Sequence, residues 1–292
     1  MILVAGGTGR LGTRLVHRLL TRGEDVRVLA RDECGASGLR ELGADVRVGD
    51  VRRPDSLPAA MEGVATVVSA VQGFVGTGGV SPASVDRDGN RHLVAAAADT
   101  GTAFVLMSIV GAAADSPFEL FRMKHAAEAN LAASSVPSTV VRSTAFADLW
   151  VELLRQTAAR AGKPVVFGRG DNPINMVAVD DVAAALDAVL KDPPRPGSTI
   201  EVGGPDDVTF NELAAAVQRA DGRSSHPRHV PPAALRVLAA TVGRLKPELG
   251  RQMRAAVEMD RVPLTWHATH DAGTGARVGT TTVAELLGLS AS

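Results

Sequence analysis

Near its start the chain reads Val4-Ala5-Gly6-Gly7-Thr8-Gly9-Arg10-Leu11-Gly12, and no other stretch narrows the possible folds as much. A short apolar run, residues 2–5, leads into it. A helix-period stretch, residues 13–21, leads out, with Leu15, Val16, Leu19 and Leu20 on one side. Gly6, Gly9 and Gly12 recur at every third position. Each has a physical use: a tight turn out of a strand, close backbone approach to a pyrophosphate, and close packing of helix on sheet. The helix that follows offers unpaired N–H groups and the positive end of its dipole to phosphates. Thr8, Arg10 and Leu11 lie in the same loop and join the three glycines as candidate contacts to a dinucleotide. A tight turn with no ligand is the alternative, and the strand–turn–helix setting speaks against it.

Downstream, short apolar runs alternate with helical patterns, as in βαβ units with a parallel sheet. Strands are expected at 2–5, 26–30, 46–48, 65–70, 103–107 and 139–142. Rich in Val and Ile, they read as buried on both faces. Helices are expected at 13–21, 87–99 and 118–133. Past Phe146 the rhythm loosens into helical stretches at 147–161, 181–190, 210–220, 233–245, 247–260 and 282–287, with one more strand at 199–202. The pattern predicts an α/β fold: a Rossmann-type, doubly wound parallel sheet with a smaller, mainly helical C-terminal lobe. Residues 1–146 would form the dinucleotide-binding core, with 176–203 rejoining the sheet. Residues 147–175 and 204–292 would form a substrate lobe.

The bulk numbers exclude other classes. A net charge of −1 gives no basic excess to steer the chain onto nucleic acid. Cys34 stands alone, so there is neither an internal disulfide nor a Cys/His zinc cluster. The seven histidines show no metal-ligand spacing. His17 reads as a surface residue, and His267 and His270, near Trp266, as loop residues or pocket lining. Asp180-Asp181 reads as a helix start rather than a metal site. The opening apolar run is too short for a signal peptide, and no apolar run is long enough to span a bilayer. The expectation is a cytoplasmic protein without a nucleic-acid or membrane partner; its oligomeric state is not legible.

The second strand runs into Arg31-Asp32. An acid near this position grips the ribose hydroxyls of NAD, whereas an arginine accommodates the 2′-phosphate of NADP. Arg31 comes first, with Arg10 to add positive charge, so NADP(H) is favoured. Asp32 then reads as a solvated loop charge or a cap.

Further motifs follow in order: Gly49-Asp50-Val51, Val85-Asp86-Arg87-Asp88-Gly89-Asn90, Phe104-Val105-Leu106-Met107-Ser108, Phe121-Arg122-Met123-Lys124-His125-Ala126-Ala127-Glu128, Val141-Arg142-Ser143-Thr144-Ala145-Phe146, Asn175-Met176-Val177-Ala178-Val179-Asp180-Asp181-Val182-Ala183 and Glu201-Val202-Gly203-Gly204-Pro205. Together with the glycine loop they resemble the atypical short-chain dehydrogenases, in particular their NmrA-like branch, over roughly residues 1–220. The resemblance implies coenzyme contacts at Asp50 and Val51 beside the adenine, at Ala70 and Val71 after the fourth strand, at Lys124, and at Thr144 and Phe146 beside the nicotinamide.

One departure decides the chemistry. In this family a tyrosine four residues before the lysine usually protonates the substrate; here that position is Leu120, and the chain contains no tyrosine. The catalytic candidates left are Lys124 and Ser108. Lys124 either holds the nicotinamide ribose, moves a proton, or is structural and pairs with Glu128. Ser108, at the carboxyl end of a strand, either binds a substrate carbonyl or caps a turn. The Gly-rich loop 73–80 either covers a flat substrate with Phe74 or is a flexible spacer. Phe146, Trp150, Met176 and Trp266 are candidate walls for a small apolar substrate or else core. The reading is an NADPH-dependent oxidoreductase passing hydride to an apolar quinone-like acceptor or to an activated carbonyl or alkene. The alternative is a non-catalytic NADP(H) sensor.

Overall fold

The computed structural model describes residues 1–268 and 274–289. Their described parts form two compact units, one within 1–143, 182–201 and 269–276, the other within 144–181, 202–268 and 277–292. In the first, β1 (Ile2–Ala5), α1 (Arg10–Thr21), β2 (Val26–Ala30), α2 (Ser37–Glu41), β3 (Asp45–Val48), α3 (Pro58–Met61), β4 (Thr66–Ser69), α4 (Asp88–Thr100), β5 (Ala103–Ile109), α5 (Glu119–Ala132) and β6 (Ser138–Ser143) follow one another. The strands pair in parallel in the order β3-β2-β1-β4-β5-β6. The order reverses between β1 and β4. At such a switch point the loops leaving the two strands diverge and open a crevice at the strands' carboxyl ends.

The sheet forms because its apolar runs are buried. Leu3, Val4, Val67, Val68, Leu106 and Val141 have no exposed surface. Leu93 and Ala97 of α4 and Leu131 of α5 pack into the same core as Leu3, Val67 and Phe104. Each fully buried leucine contributes about 1.5–3 kcal/mol. β3 departs from the expected burial on both faces, and β2, though buried throughout, departs from the expected apolar content. β3 is an edge strand, and Val48 at its end is half exposed. β2 buries a charge: Arg27 donates to Asp45 Oδ2 (2.7 Å) on β3 and to the carbonyls of Ala60 (3.0 Å) and Glu62 (2.6 Å).

In the second unit come β7 (Ala145–Phe146), α6 (Ala147–Ala161), β8 (Val165–Phe167) and β9 (Ile174–Val177). The chain returns through α7 (Val179–Lys191) and β10 (Ser198–Gly203), then continues with β11 (Asp207–Val208), α8 (Phe210–Ala220), β12 (Arg228–Val230), α9 (Pro232–Leu245), α10 (Pro247–Met259), β13 (Thr274–Val278) and α11 (Val283–Leu286). β10 and β13 extend the main sheet beyond β6 to eight strands. β9 lies instead between β11 and β7 in a small sheet, so the segment expected to rejoin the main sheet from residue 176 does so only at β10. The core of this unit gathers Val151, Leu154, Ile174, Met176, Leu213 and Val217.

Two of the expected helices start two or more residues earlier than read. α1 begins at Arg10 rather than Thr13, because extended Gly9 serves as its N-cap (φ −79°, ψ 170°) and Gly12 is tolerated in the first turn. α7 begins at Val179 rather than 181; Asp148 Oδ2 accepts the Val179 N–H at 2.9 Å, and Asp180 and Asp181 fall in the first turn.

Candidate functional site

The carboxyl ends of β1, β2, β4 and β5, all in the first unit, carry most of the candidate residues. The turn after β1 is shaped by its glycines. Gly6 sits at φ +86°, a left-handed conformation that favours glycine, and a Cβ there would stand 2.7 Å from the Ala70 carbonyl oxygen. The turn is therefore seated directly on Ala70 and Val71 at the end of β4. A Cβ on Gly12 would overlap the Gly6 carbonyl oxygen, so Gly12 packs the helix onto the turn rather than onto the sheet. Contact with the sheet falls to Gly7, whose Cβ would lie 2.8 Å from Val28 Cγ1 on β2. A Cβ on Gly9 would meet only the Gly6 oxygen, at 3.2 Å. No capping side chain and no first-turn acid covers the N-terminus of α1. Exposed Thr8 and Arg10 flank it. Such an end is suited to an anion.

Beyond β2, Arg31 and Asp32 are both exposed. Asp32 Oδ1 accepts the Gly35 N–H at 2.8 Å and so caps its own turn. At the end of β3, Arg52 grips the Asp50 carboxylate with Nε at 3.1 Å from both oxygens and a terminal nitrogen at 2.6 Å from Oδ2. That hydrogen bonding outweighs burial and, with the charge of Arg31 nearby, holds the Asp50 carboxyl below its usual range. The Asp50 N–H donates to Ser56 Oγ (2.9 Å), and Val51 is fixed by His92 Nδ1, 2.8 Å from its carbonyl oxygen. Sequence reasoning missed Arg52, Ser56 and His92; only Arg52, two residues after Asp50, left a local trace.

Lys124 is 5% exposed. Its Nζ donates to the carbonyls of Val71 (3.1 Å) and Met107 (3.0 Å), and it forms an ion pair with Asp86 Oδ1 at 3.0 Å. Glu128 is not its partner; that carboxylate accepts from Arg142 of β6 at 2.6 and 3.0 Å. Asp86, fully buried, was not singled out from the sequence. Burial pushes its carboxyl above the ordinary range, against the charge of Lys124 and the Gly73 N–H. Asp86 and Asn90, spaced one helical turn apart, were the available signal. Asn90 donates to the Asp86 carbonyl (2.7 Å) and accepts from Ser69 Oγ (2.5 Å).

Ser108 is buried at the end of β5, and its Oγ has no hydrogen-bond partner. Loop 73–80 is folded into two turns, Gly76 N–H to Gly73 O (3.2 Å) and Val80 N–H to Thr77 O (3.1 Å). Phe74 in it is half-buried.

In the second unit Thr144 Oγ1 is likewise buried and unpartnered, and Phe146 precedes α6 as its N-cap residue. Met176 and Trp266 are not open pocket walls. Met176 is core, and the Trp266 ring lies on Gly203 where a Cβ would collide with it. Trp150 packs edge-on against Phe210, centroids 4.7 Å apart, beside a small apolar pocket also lined by Leu154, Val166 and Met259. His17 and His267 are exposed, and His270 lies outside the described residues. Among the described residues no three His, Cys, Asp or Glu side chains cluster as a metal site, and no helix is long and apolar enough to cross a membrane.

Comparison with known proteins gives a consistent picture. The family model described as NmrA-like family matches residues 1–267. The NAD(P)H azoreductase of Xenophilus azovorans is 31% identical over 225 residues, 76% of this chain and 74% of that protein. A photosystem II assembly factor of Synechocystis is 28% identical over 246 residues, 81% and 72% of the two chains. Among solved structures, the NADPH-dependent quinone oxidoreductase of Escherichia coli complexed with NADPH has a TM-score of 0.71 at 21% identity, covering 99% of this chain and 95% of that one. The triphenylmethane reductase of Citrobacter complexed with NADP(H) also gives 0.71, at 23% identity and 91% and 92% coverage. At these identities the structural matches speak to the fold.

Proposed function

The chain belongs to the NmrA-like family, and from that premise we propose that it is an NADPH-dependent oxidoreductase acting on a flat, apolar acceptor without a catalytic tyrosine. The observation that carries this reading is the glycine turn seated on Ala70 and Val71 at the strand-order switch, under an uncapped helix N-terminus. The residues present fit a dinucleotide. The α1 N-terminus and the backbone of residues 6–12 would hold the pyrophosphate, and Arg31 the 2′-phosphate. Asp50 and Val51 would face the adenine, and Ala70 and Val71 would lie along the coenzyme's path past β4.

When bound, the coenzyme supplies a hydride from its nicotinamide ring. Ser108 Oγ, buried and unpartnered, is free to donate a hydrogen bond to an acceptor oxygen. With no tyrosine to deliver a proton, the chemistry suits acceptors that take up protons from water once reduced. A quinone and an azo compound are of this kind, and a cationic triphenylmethane dye, which takes hydride on carbon, needs no proton at all; these are the classes in the relatives' names. The chain's own task is then orientation and exclusion of water.

The likeness to a photosystem II assembly factor favours a second reading, binding of NADP(H) without turnover. NADPH oxidation followed by absorbance, with a panel of quinones, azo dyes and triphenylmethane dyes, separates the two. At least one acceptor should be reduced faster than in buffer. Tight NADPH binding with no acceptor turned over would favour the sensor, and absence of binding would remove both readings.

A further inference from the structure

Asp86 lies on a π-helical turn, Pro82–Arg87, that precedes α4. Inserted π-turns recur at functional sites, because the extra residue re-aims a side chain. This turn carries a carboxylate with no exposed surface. Its Oδ2 accepts the Gly73 N–H at 2.8 Å, and its Oδ1 faces Lys124 Nζ at 3.0 Å. Lys124 in turn reaches Val71 after β4 and Met107 on β5, the residue before Ser108. One ammonium and one carboxylate thus tie together the segment after β4, the end of β5, α5 and the π-turn. The same π-turn holds the far part of the loop: Ser84 Oγ donates to the Gly79 carbonyl (3.0 Å), and Ser81 and Ser84 form a capping box. Gly73 is pressed so closely on the Ser81 carbonyl that a Cβ would overlap it.

We propose that Asp86 is a positioning residue: through Lys124 and the Gly73 N–H it locks residues 71–73 against β5 and so fixes the coenzyme-facing edge of the site beside Ser108. Lys124 is then an internal bracket. Its ammonium donates to two backbone carbonyls and is ion-paired with Asp86 Oδ1, contacts made within the chain itself. This rests on the coenzyme reading above for what the edge faces, but the bracket itself is testable without coenzyme.

Removing one charge alone would strand the other in the core and risk misfolding, whereas removing both leaves none uncompensated. The test therefore compares Asp86→Ala/Lys124→Met with Asp86→Asn/Lys124→Met, which keeps a carbonyl oxygen to accept the Gly73 N–H. In coenzyme-free protein, NMR-detected amide exchange at Gly73 should speed up about tenfold in the first variant, the worth of one hydrogen bond, and return towards wild type in the second. With NADPH and the best acceptor, kcat should fall in the first variant by a similar factor, with a smaller change in KM for NADPH, and recover in part in the second. Unchanged Gly73 exchange, or faster exchange with unchanged kinetics, overturns the positioning role. So does a loss confined to NADPH affinity and equal in both variants, which would return Lys124 to the ribose. If wild-type protein binds no NADPH, the coenzyme reading fails, and with it the claim about what the edge faces; the exchange data still decide the bracket.

Discussion

Arg31 and Gly9 are the single residues on which the coenzyme reading turns. A charge-assisted contact to a 2′-phosphate is worth about 1.5–3 kcal/mol, so NADPH should bind at least about tenfold tighter than NADH in a fluorescence titration. Arg31→Ala should erase most of that gap and leave NADH affinity nearly unchanged; equal affinities in the wild type would reject the assignment. Gly9 has open space around its Cα apart from the Gly6 oxygen. Gly9→Val should therefore preserve the fold, checked by circular dichroism, while its branched side chain blocks phosphate approach and NADPH binding collapses. Normal binding by that variant would mean the phosphates sit elsewhere. Both residues stand out as candidates in the sequence because their signals are local: a spacing, and a position just past a strand. Asp86 does not. Its role comes from Lys124 and Gly73, which meet it only through the tertiary fold, and buried Arg27 on β2 escaped notice for the same reason.

At the level of elements, legibility followed length. The six strands of the first unit were read within two residues at either end, because short valine- and leucine-rich runs alternate there with helix-period stretches. β7, β8, β11 and β12, of two or three residues, carry no period and were missed; so was the five-residue β13, Thr274-Gly275-Ala276-Arg277-Val278, which has no apolar run, and β9 was quoted as a motif without being read as a strand. The start of α1 was placed late because glycines read as loop, although a first turn has no internal N–H bonds to lose. α8 was placed correctly, and its capping box explains why its start is sharp. Thr209 Oγ1 accepts the Glu212 N–H (3.1 Å), and the Glu212 carboxylate accepts the Thr209 N–H (2.8 Å). The Thr209 N–H and the Thr209 hydroxyl, which also donates to Glu212 Oε2 at 2.9 Å, hold the Glu212 carboxyl below its usual range. Thr209→Ala should cost about 1 kcal/mol in urea unfolding, with an unchanged m-value. A loss below about 0.3 kcal/mol would show the cap to be replaced by water.

For the whole molecule, charge and ligand linkage make separate claims on stability. Asp50 is held low chiefly by its hydrogen bonds from Arg52. In Asp45, burial acts to raise the carboxyl, but Arg27 and Arg47 outweigh it and leave it low. Carboxyls lowered in the folded state stabilise it above their unfolded pKa of roughly 4, and that contribution is lost as pH falls through the lower folded values. Asp86, raised by burial, acts in the opposite sense and relieves a cost when protonated. The paired carboxyls of Asp45 and Asp50 should make the urea midpoint fall between pH 5 and pH 3; a rise would mean that the relief at Asp86 outweighs them. The coenzyme acts through binding alone. At about 100 times its dissociation constant, NADPH should add about 2.7 kcal/mol, and a thermal midpoint should rise by several degrees. NADH at that same concentration, bound about tenfold more weakly, should add only about 1.4 kcal/mol by the same relation. Arg31→Ala should bring the NADPH shift down to the NADH value, because mass action sees only affinity. If both coenzymes shift the wild-type midpoint equally, the 2′-phosphate makes no net contact, and specificity must be sought in Asp32 rather than in Arg31.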